Sequence, residues 1–84
     1  MATYNGWPSW NAWNVALWIG NDEGLYNLAL DCLKRSKSKQ GVYSVARATR
    51  FFLEDIGVTR TPDGAMYNAR SVSLALADYW EDLA

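Results

Sequence analysis

The segment Asn21-Asp-Glu-Gly-Leu-Tyr-Asn-Leu-Ala-Leu-Asp-Cys-Leu33 contains the clearest structural signal in the chain. Its apolar side chains recur at the i, i+3, i+4, i+7 and i+8 positions of a helix: Leu25, Leu28, Ala29, Cys32 and Leu33. Asn21 is a natural N-cap, and Asp22 and Glu23 then fall in the first turn, where the helix dipole favours anions. Lys34 and Arg35 suit the carboxyl end of the same helix. The segment therefore predicts an amphipathic helix that ends at Lys34 and Arg35.

The preceding segment predicts another helix, with Ser9 as its N-cap and residues 10–19 as its body, before Gly20. Two apolar stripes lie side by side on it, one of Trp10, Trp13, Leu17 and Trp18, the other of Ala12, Val15, Ala16 and Ile19. A helix that is apolar on nearly all sides is central in its fold or gives one side to a partner.

Two further helices are predicted towards the carboxyl end. One spans about residues 42–56, ends before Gly57 and turns these side chains inward: Val42, Val45, Ala46, Phe52, Leu53 and Ile56. The last is capped by Asn68 or Ser71, and its apolar stripe consists of Val72, Ala75, Leu76, Tyr79, Trp80 and Leu83. The chain is thus predicted to form one all-α domain over residues 1–84, a compact bundle of about four helices.

A turn separates the last two helices. Pro62-Asp-Gly64 is strong turn chemistry, because proline fixes φ, aspartate bonds its own backbone and glycine takes positive φ. Residues 58–67 are therefore predicted to form either a very short β-hairpin, in which residues 59–61 pair with residues 65–67, or a turn.

Composition favours a binding module over an enzyme. The 84 residues include no His and one Cys, which removes histidine-based acid–base catalysis, histidine metal sites and any internal disulfide. Cys32 lies on an apolar stripe, and Lys34 and Arg35 are expected to point away from it, so a small buried hydrophobe is the favoured interpretation over a nucleophile. We expect no enzymatic activity, cofactor or metal. No secretory signal or membrane-spanning run is present, so a cytoplasmic location is expected.

Charge is distributed unevenly, although the formal net charge is only −1. Residues 1–33 have a net charge of −3, residues 34–60 of +5 and residues 61–84 of −3. Near-neutrality therefore conceals fields of opposite sign, which can steer charged partners.

An acidic face and a basic face follow as candidate partner-binding sets. The acidic candidates are Asp22, Glu23, Asp78, Glu81 and Asp82. The last three oppose the dipole preference at a helix carboxyl end, and they share a face that could hold a cation, although a solvated acidic surface is the simpler interpretation. The basic candidates are Lys34, Arg35, Lys37, Lys39, Arg47 and Arg50. Such a cluster could bind nucleic acid with Tyr43 as a stacking group, although an ordinary solvated helix end is favoured.

Five Trp residues in so short a chain are several times the ordinary usage. Core packing explains two or three of the four between residues 7 and 18, but all four are hard to bury in so small a domain. Because Trp is enriched at interface hot spots, Trp7 or Trp10 is expected on a protein-contacting surface, and a homodimer would serve equally well.

The motifs Asn5-Gly-Trp7, Trp13-Asn-Val-Ala-Leu-Trp-Ile-Gly-Asn-Asp-Glu-Gly24 and Thr61-Pro-Asp-Gly64 resemble those of a family of small uncharacterised proteins encoded by bacteriophages, plasmids and some archaeal elements. Many of those relatives carry Glu where this chain has Ala12, which completes a capping box at the first helix. The resemblance covers about a third of the chain and one later turn, and it implies a mobile-element origin but no chemistry.

By analogy of context, small phage proteins without catalytic residues are often inhibitors of host defence. The expected function is stoichiometric inhibition of a defence nucleoprotein complex, of the anti-CRISPR or anti-restriction type, in which an acidic face occupies a nucleic-acid groove or a basic face holds an acidic protein surface. The alternatives are a small nucleic-acid-binding regulator that uses residues 34–50, and a homo-oligomeric helical assembly module.

Overall fold

Four helices are present in the computed structural model, which describes residues 4–83 and the side chains of residues 4–81. They are α1 (Trp10–Asn21), α2 (Glu23–Arg35), α3 (Val45–Asp55) and α4 (Ala69–Leu83). Within the described residues the only β-structure consists of isolated bridges, which confirms the predicted all-α bundle.

One buried cluster receives side chains from every helix. Its larger members are Val15 and Ile19 from α1, Leu33 from α2, Phe52 from α3, and Val72 and Leu76 from α4. Burial of such side chains is worth about 1.5–3 kcal/mol each, and this sum opposes the conformational entropy lost on folding. None of the helices in the described part of the chain is long and apolar enough to cross a membrane.

The junction of α1 and α2 differs from the sequence prediction by one residue at the cap and two at the end of α1. Helix α1 does begin after Ser9, whose hydroxyl accepts from the backbone N–H of Ala12, but it continues through Gly20 to Asn21. Asp22, not Asn21, caps α2, because its backbone is extended and its carboxylate accepts from the N–H of Leu25. Gly20 thus lies inside a helix instead of ending one.

Helix α3 begins three residues later than predicted. Ser44 is its N-cap and accepts from the N–H of Arg47, while the N–H of Ser44 itself donates to the buried hydroxyl of Ser36. This anchored cap leaves Val42 in the loop and 64% exposed, so its predicted inward position is wrong. Ala46, also predicted to face inward, is exposed.

The predicted hairpin is confirmed in minimal form. Arg60 and Met66 form an antiparallel bridge, flanked by a hydrogen bond of 2.8 Å from Thr61 N–H to Ala65 O and one of 3.0 Å from Tyr67 N–H to Thr59 O. We call residues 59–67 the hairpin. It links α3 to α4 and places Ala65 and Tyr67 in the core.

Two short hydrogen-bonded motifs lie before α1 and at the start of α4. Tyr4 and Trp7 exchange two backbone hydrogen bonds across Asn5 and Gly6, both of which have positive φ, as a two-residue turn of type I′ requires. Asn68 caps α4: its side chain accepts from Ser71 N–H, and the Ser71 hydroxyl accepts from Asn68 N–H in return. Of the two predicted caps, the structure therefore selects Asn68, with Ser71 as its reciprocal partner inside the helix.

Candidate functional site

Side chains from two of the motifs that carry the family resemblance, residues 13–24 and residues 61–64, form a hydrogen-bond network between α1 and the hairpin. The side-chain amide of Asn14, which is only 2% exposed, donates to the Asp63 carboxylate at 2.9 Å and accepts from the Thr61 hydroxyl at 2.6 Å. The indole N–H of Trp18 donates to the same Asp63 oxygen at 2.9 Å. These two bonds hold the pKa of Asp63 below its ordinary value.

A second amide repeats this attachment one turn earlier on α1. Asn11 donates to Met66 O at 3.0 Å and accepts from Met66 N–H at 2.7 Å, so it pairs with the hairpin backbone as a strand would. Because Asn11, Asn14 and Trp18 lie on one side of α1, they hold the hairpin along most of the helix. These bonds attach the hairpin to α1.

The predicted acidic face is divided into separate places. Asp22 and Glu23 stand at the start of α2, where Asp22 is occupied as an N-cap. Asp78 and Glu81 are exposed on α4, and neither forms an ion pair with another described residue. The side chain of Asp82 lies outside the described residues. Glu23, Asp78 and Glu81 are therefore the acidic candidates that remain available to a partner, and of these Asp78 and Glu81 lie together on α4.

A groove of about 590 Å³ connects these two carboxylates with a predicted aromatic contact. We call it the acidic groove; it is lined by Gly6, Trp7, Pro8, Leu74, Ala77, Asp78 and Glu81. The turn at Asn5 and Gly6 places Trp7 here, partly buried against the core cluster. Residues from both ends of the chain thus form one concave surface with an apolar wall and two free carboxylates.

The other aromatic candidate, Trp10, is 40% exposed at the first position of α1. Nearby on the outer side of this helix, Leu17 is exposed and Trp13 packs against the ring of Tyr4 with centroids 4.8 Å apart. The buried stripe of α1 is instead the one formed by Ala12, Val15, Ala16 and Ile19. The tryptophan-rich stripe therefore covers the outside of the bundle.

Arg35, a member of the predicted basic face, makes its contacts within the protein. Its guanidinium pairs with Asp55 at 2.5 Å and with Asp31 at 3.0 Å, and it lies 5.0 Å from the centroid of the Phe51 ring. These contacts join α2 to α3. Arg35 is consequently a structural residue, and its charge is neutralised within the protein.

Arg35 also corrects the prediction for Cys32. Residues three apart on a helix are neighbours, and the Arg35 guanidinium donates to the Cys32 sulfur at 3.3 Å instead of pointing away. Cys32 is nevertheless fully buried, and this burial raises the pKa of its thiol despite the opposing effect of Arg35. The sulfur is thus in the state opposite to an activated thiolate.

The remaining predicted cations are dispersed around the loop between α2 and α3. Arg47 donates to the Ser36 carbonyl at 3.1 Å, which ties α3 to the end of α2. Lys37 lies 5.6 Å from the centroid of Tyr43, whose ring packs in turn on Trp80. Of the predicted basic residues, Lys34 and Lys39 are exposed and make no such contact with a described residue.

Arg50 lies on a separate groove between α3 and the first turns of α4. Two adjoining depressions, of about 370 and 400 Å³, share Ala46, Thr49 and Ala69. We call their union the basic groove; its other lining residues are Arg50, Leu53, Glu54, Arg70 and Ser73. Sequence reasoning missed Arg70, since it is the one cation in an acidic segment and only the fold brings it to α3.

No cluster of three or more potential metal-binding side chains exists among the described residues. No curated protein and no solved structure matches the chain. A family model does match it, from residue 1 to residue 83. With almost its whole length matched, the chain belongs to DUF7249, a family of unknown function.

Proposed function

We propose that this protein is a stoichiometric inhibitor from a phage or other mobile element, which binds a host defence nucleoprotein complex of the anti-CRISPR or anti-restriction type in the host cytoplasm and blocks its access to nucleic acid. The observation that carries the proposal is the acidic groove. It combines an aromatic anchor with carboxylates that form no ion pair with a described residue, as expected of a surface that binds a basic partner.

The chemistry of the groove suits a nucleic-acid-binding protein as the target. Such proteins present Arg and Lys to phosphates, and exposed carboxylates can take the place of the phosphates. Asp78 and Glu81 are three residues apart on α4, so they lie on one face and can meet neighbouring cations. Trp7 and Leu74 beside them offer apolar area that a nucleic acid backbone lacks.

Charge placement supports an inhibitor more than a nucleic-acid-binding regulator. Direct binding to nucleic acid through residues 34–50 needs a concentrated positive surface. Arg35 is neutralised by two carboxylates, and Arg47 is held to a carbonyl of its own chain. The motif resemblance to phage and plasmid proteins adds the context of host defence.

The test is an interference assay against a panel of defence systems. Cells that express CRISPR effectors or restriction enzymes are challenged with phage, with and without this protein, and each purified complex is tested for co-elution before and after loading with DNA. We expect this protein to let the phage survive at least one defence system. We also expect it to co-elute with the complex of that system, but not when the complex has first been loaded with DNA. If the phage is protected from no system and the protein co-elutes with no complex, the proposal is rejected.

A matched pair of variants locates the surface. Asp78→Asn with Glu81→Gln removes two charges from the acidic groove, whereas Glu23→Gln with Glu54→Gln removes two exposed charges elsewhere. The first pair is expected to weaken co-elution at least about tenfold, and the second about twofold or less. Equal effects would show that net charge, and not the groove, governs binding.

A further inference from the structure

The basic groove lies apart from the acidic one. It uses α3 and the beginning of α4, whereas the acidic groove uses the middle and end of α4. Its floor contains two small residues, Ala46 and Ala69, and the partly buried Leu53. Small side chains at these positions leave room for groups of a partner to approach the backbone.

The polar atoms on this floor are already satisfied within the protein. The Thr49 hydroxyl donates to Val45 O at 2.8 Å, and the Ser73 hydroxyl donates to Arg70 O at 3.0 Å. Neither needs a partner for its proton. The floor consequently presents mainly apolar surface, which is suited to aliphatic or aromatic side chains.

The basic side chains lie at the rim of the basic groove. Arg50 and Arg70 are exposed, they come from different helices, and neither forms an ion pair with a described residue. The Arg50 guanidinium lies 5.7 Å from the centroid of the Phe51 ring, a contact that leaves its hydrogen-bond donors available. Each guanidinium can bind a carboxylate through two parallel hydrogen bonds. Arg70 stands in the first turn of α4, where the helix dipole adds further positive potential.

We propose that the basic groove binds an acidic amphipathic helix of a partner protein, with its apolar face on Ala46, Leu53 and Ala69 and flanking carboxylates on Arg50 and Arg70. Charge complementarity selects this occupant. A nucleic acid strand fits less well, because the lining offers no aromatic ring on which a base could stack. This inference does not depend on the proposed function of the acidic groove.

The probe is a synthetic helical peptide of about 14 residues, capped at both ends, with Leu at i, i+4 and i+7 and Glu on either side of that stripe. Titration into isotopically labelled protein, followed by amide chemical shifts, is expected to move the signals of Ala46, Arg50, Leu53 and Ala69. Arg50→Glu with Arg70→Glu should weaken binding at least about tenfold. The matched control, Lys34→Glu with Lys39→Glu, changes the net charge equally and should alter affinity about twofold or less.

Two further titrations decide which kind of ligand occupies the basic groove. The same peptide with Lys in place of Glu is expected not to bind, and a short oligothymidylate is expected to leave the groove signals unmoved. Arg50→Gln with Arg70→Gln serves if the reversed variant fails to fold. The proposal is overturned if about 1 mM acidic peptide leaves the groove signals unchanged, which excludes even millimolar affinity. It is overturned equally if the Lys peptide binds as well, or if only the oligonucleotide moves the groove signals.

Discussion

Replacing Asn14 by Ala should cost this small domain a large share of its stability. The amide is buried at 2% exposure and makes one hydrogen bond to Asp63 and one to Thr61. Each bond contributes about 1 kcal/mol, and the buried Thr61 hydroxyl, which still accepts from Ala65 N–H but loses the acceptor for its own proton, costs about 1 kcal/mol more. The better helix propensity of Ala returns about 0.5 kcal/mol, which leaves a net loss of about 2.5 kcal/mol. In a chain of this length that loss lowers Tm by about 10–20 °C.

The assay is urea and thermal unfolding followed by far-UV circular dichroism. Asn27→Ala is the matched control, since Asn27 is exposed on α2 and should change stability by no more than about 0.5 kcal/mol. A cycle with Thr61→Val isolates the direct bond, with an expected coupling of about 1 kcal/mol. A loss below about 1 kcal/mol for Asn14→Ala, or no coupling, would refute the view that this network attaches the hairpin to α1.

Three other predictions follow from single contacts. The pKa of Asp63 is lowered from its ordinary 3.8 in the folded state, so its stabilising contribution is present above that value and is lost as pH falls through the lower folded pKa. Below about pH 4, the Asp63→Asn variant should therefore lose stability less steeply than the unsubstituted protein in an acid titration. A Gly→Ala change inside a helix normally stabilises it by about 1 kcal/mol. At Gly20, however, the new Cβ would lie 2.7 Å from the Tyr79 hydroxyl, so Gly20→Ala should lower the free energy of unfolding by about 1–2 kcal/mol. Most of this loss should be recovered when Tyr79→Phe is added. Cys32 should react with iodoacetamide at least about a hundredfold more slowly in the native protein than in urea, and comparable rates would contradict its burial.

The helices were predictable because their signals are local. Ser9 as a cap, the stripe at Leu25 to Leu33 and the turn at residues 62–64 each depend on a few neighbouring residues, and the structure confirms all three. The true cap at Asp22 was missed because Gly20 was interpreted as a terminator. Gly20 instead lies against the hydroxyl of Tyr79, a residue of α4 that no local pattern connects to it.

The site residues were less predictable, because which charges are free depends on tertiary contacts. Arg35 and Arg50 look equivalent in the sequence, yet one is neutralised by Asp31 and Asp55 while the other has no ion pair among the described residues. Arg70 joins Arg50 only through the packing of α4 on α3. Sequence reasoning could therefore name the charged sets but could not separate their structural members from their available ones.

Two of the three motifs of the family resemblance, residues 13–24 and residues 61–64, meet in space. Trp18 of the first motif and Thr61 and Asp63 of the second are joined through hydrogen bonds that begin and end within the chain. A hydrogen-bonding group that is satisfied internally gains little from a partner, since binding would only exchange one bond for another. The same motifs therefore define the scaffold. The residues that we propose for recognition are Asp78 and Glu81 beside Trp7 on one groove, and Arg50 and Arg70 on the other; no described residue forms an ion pair with these four charges.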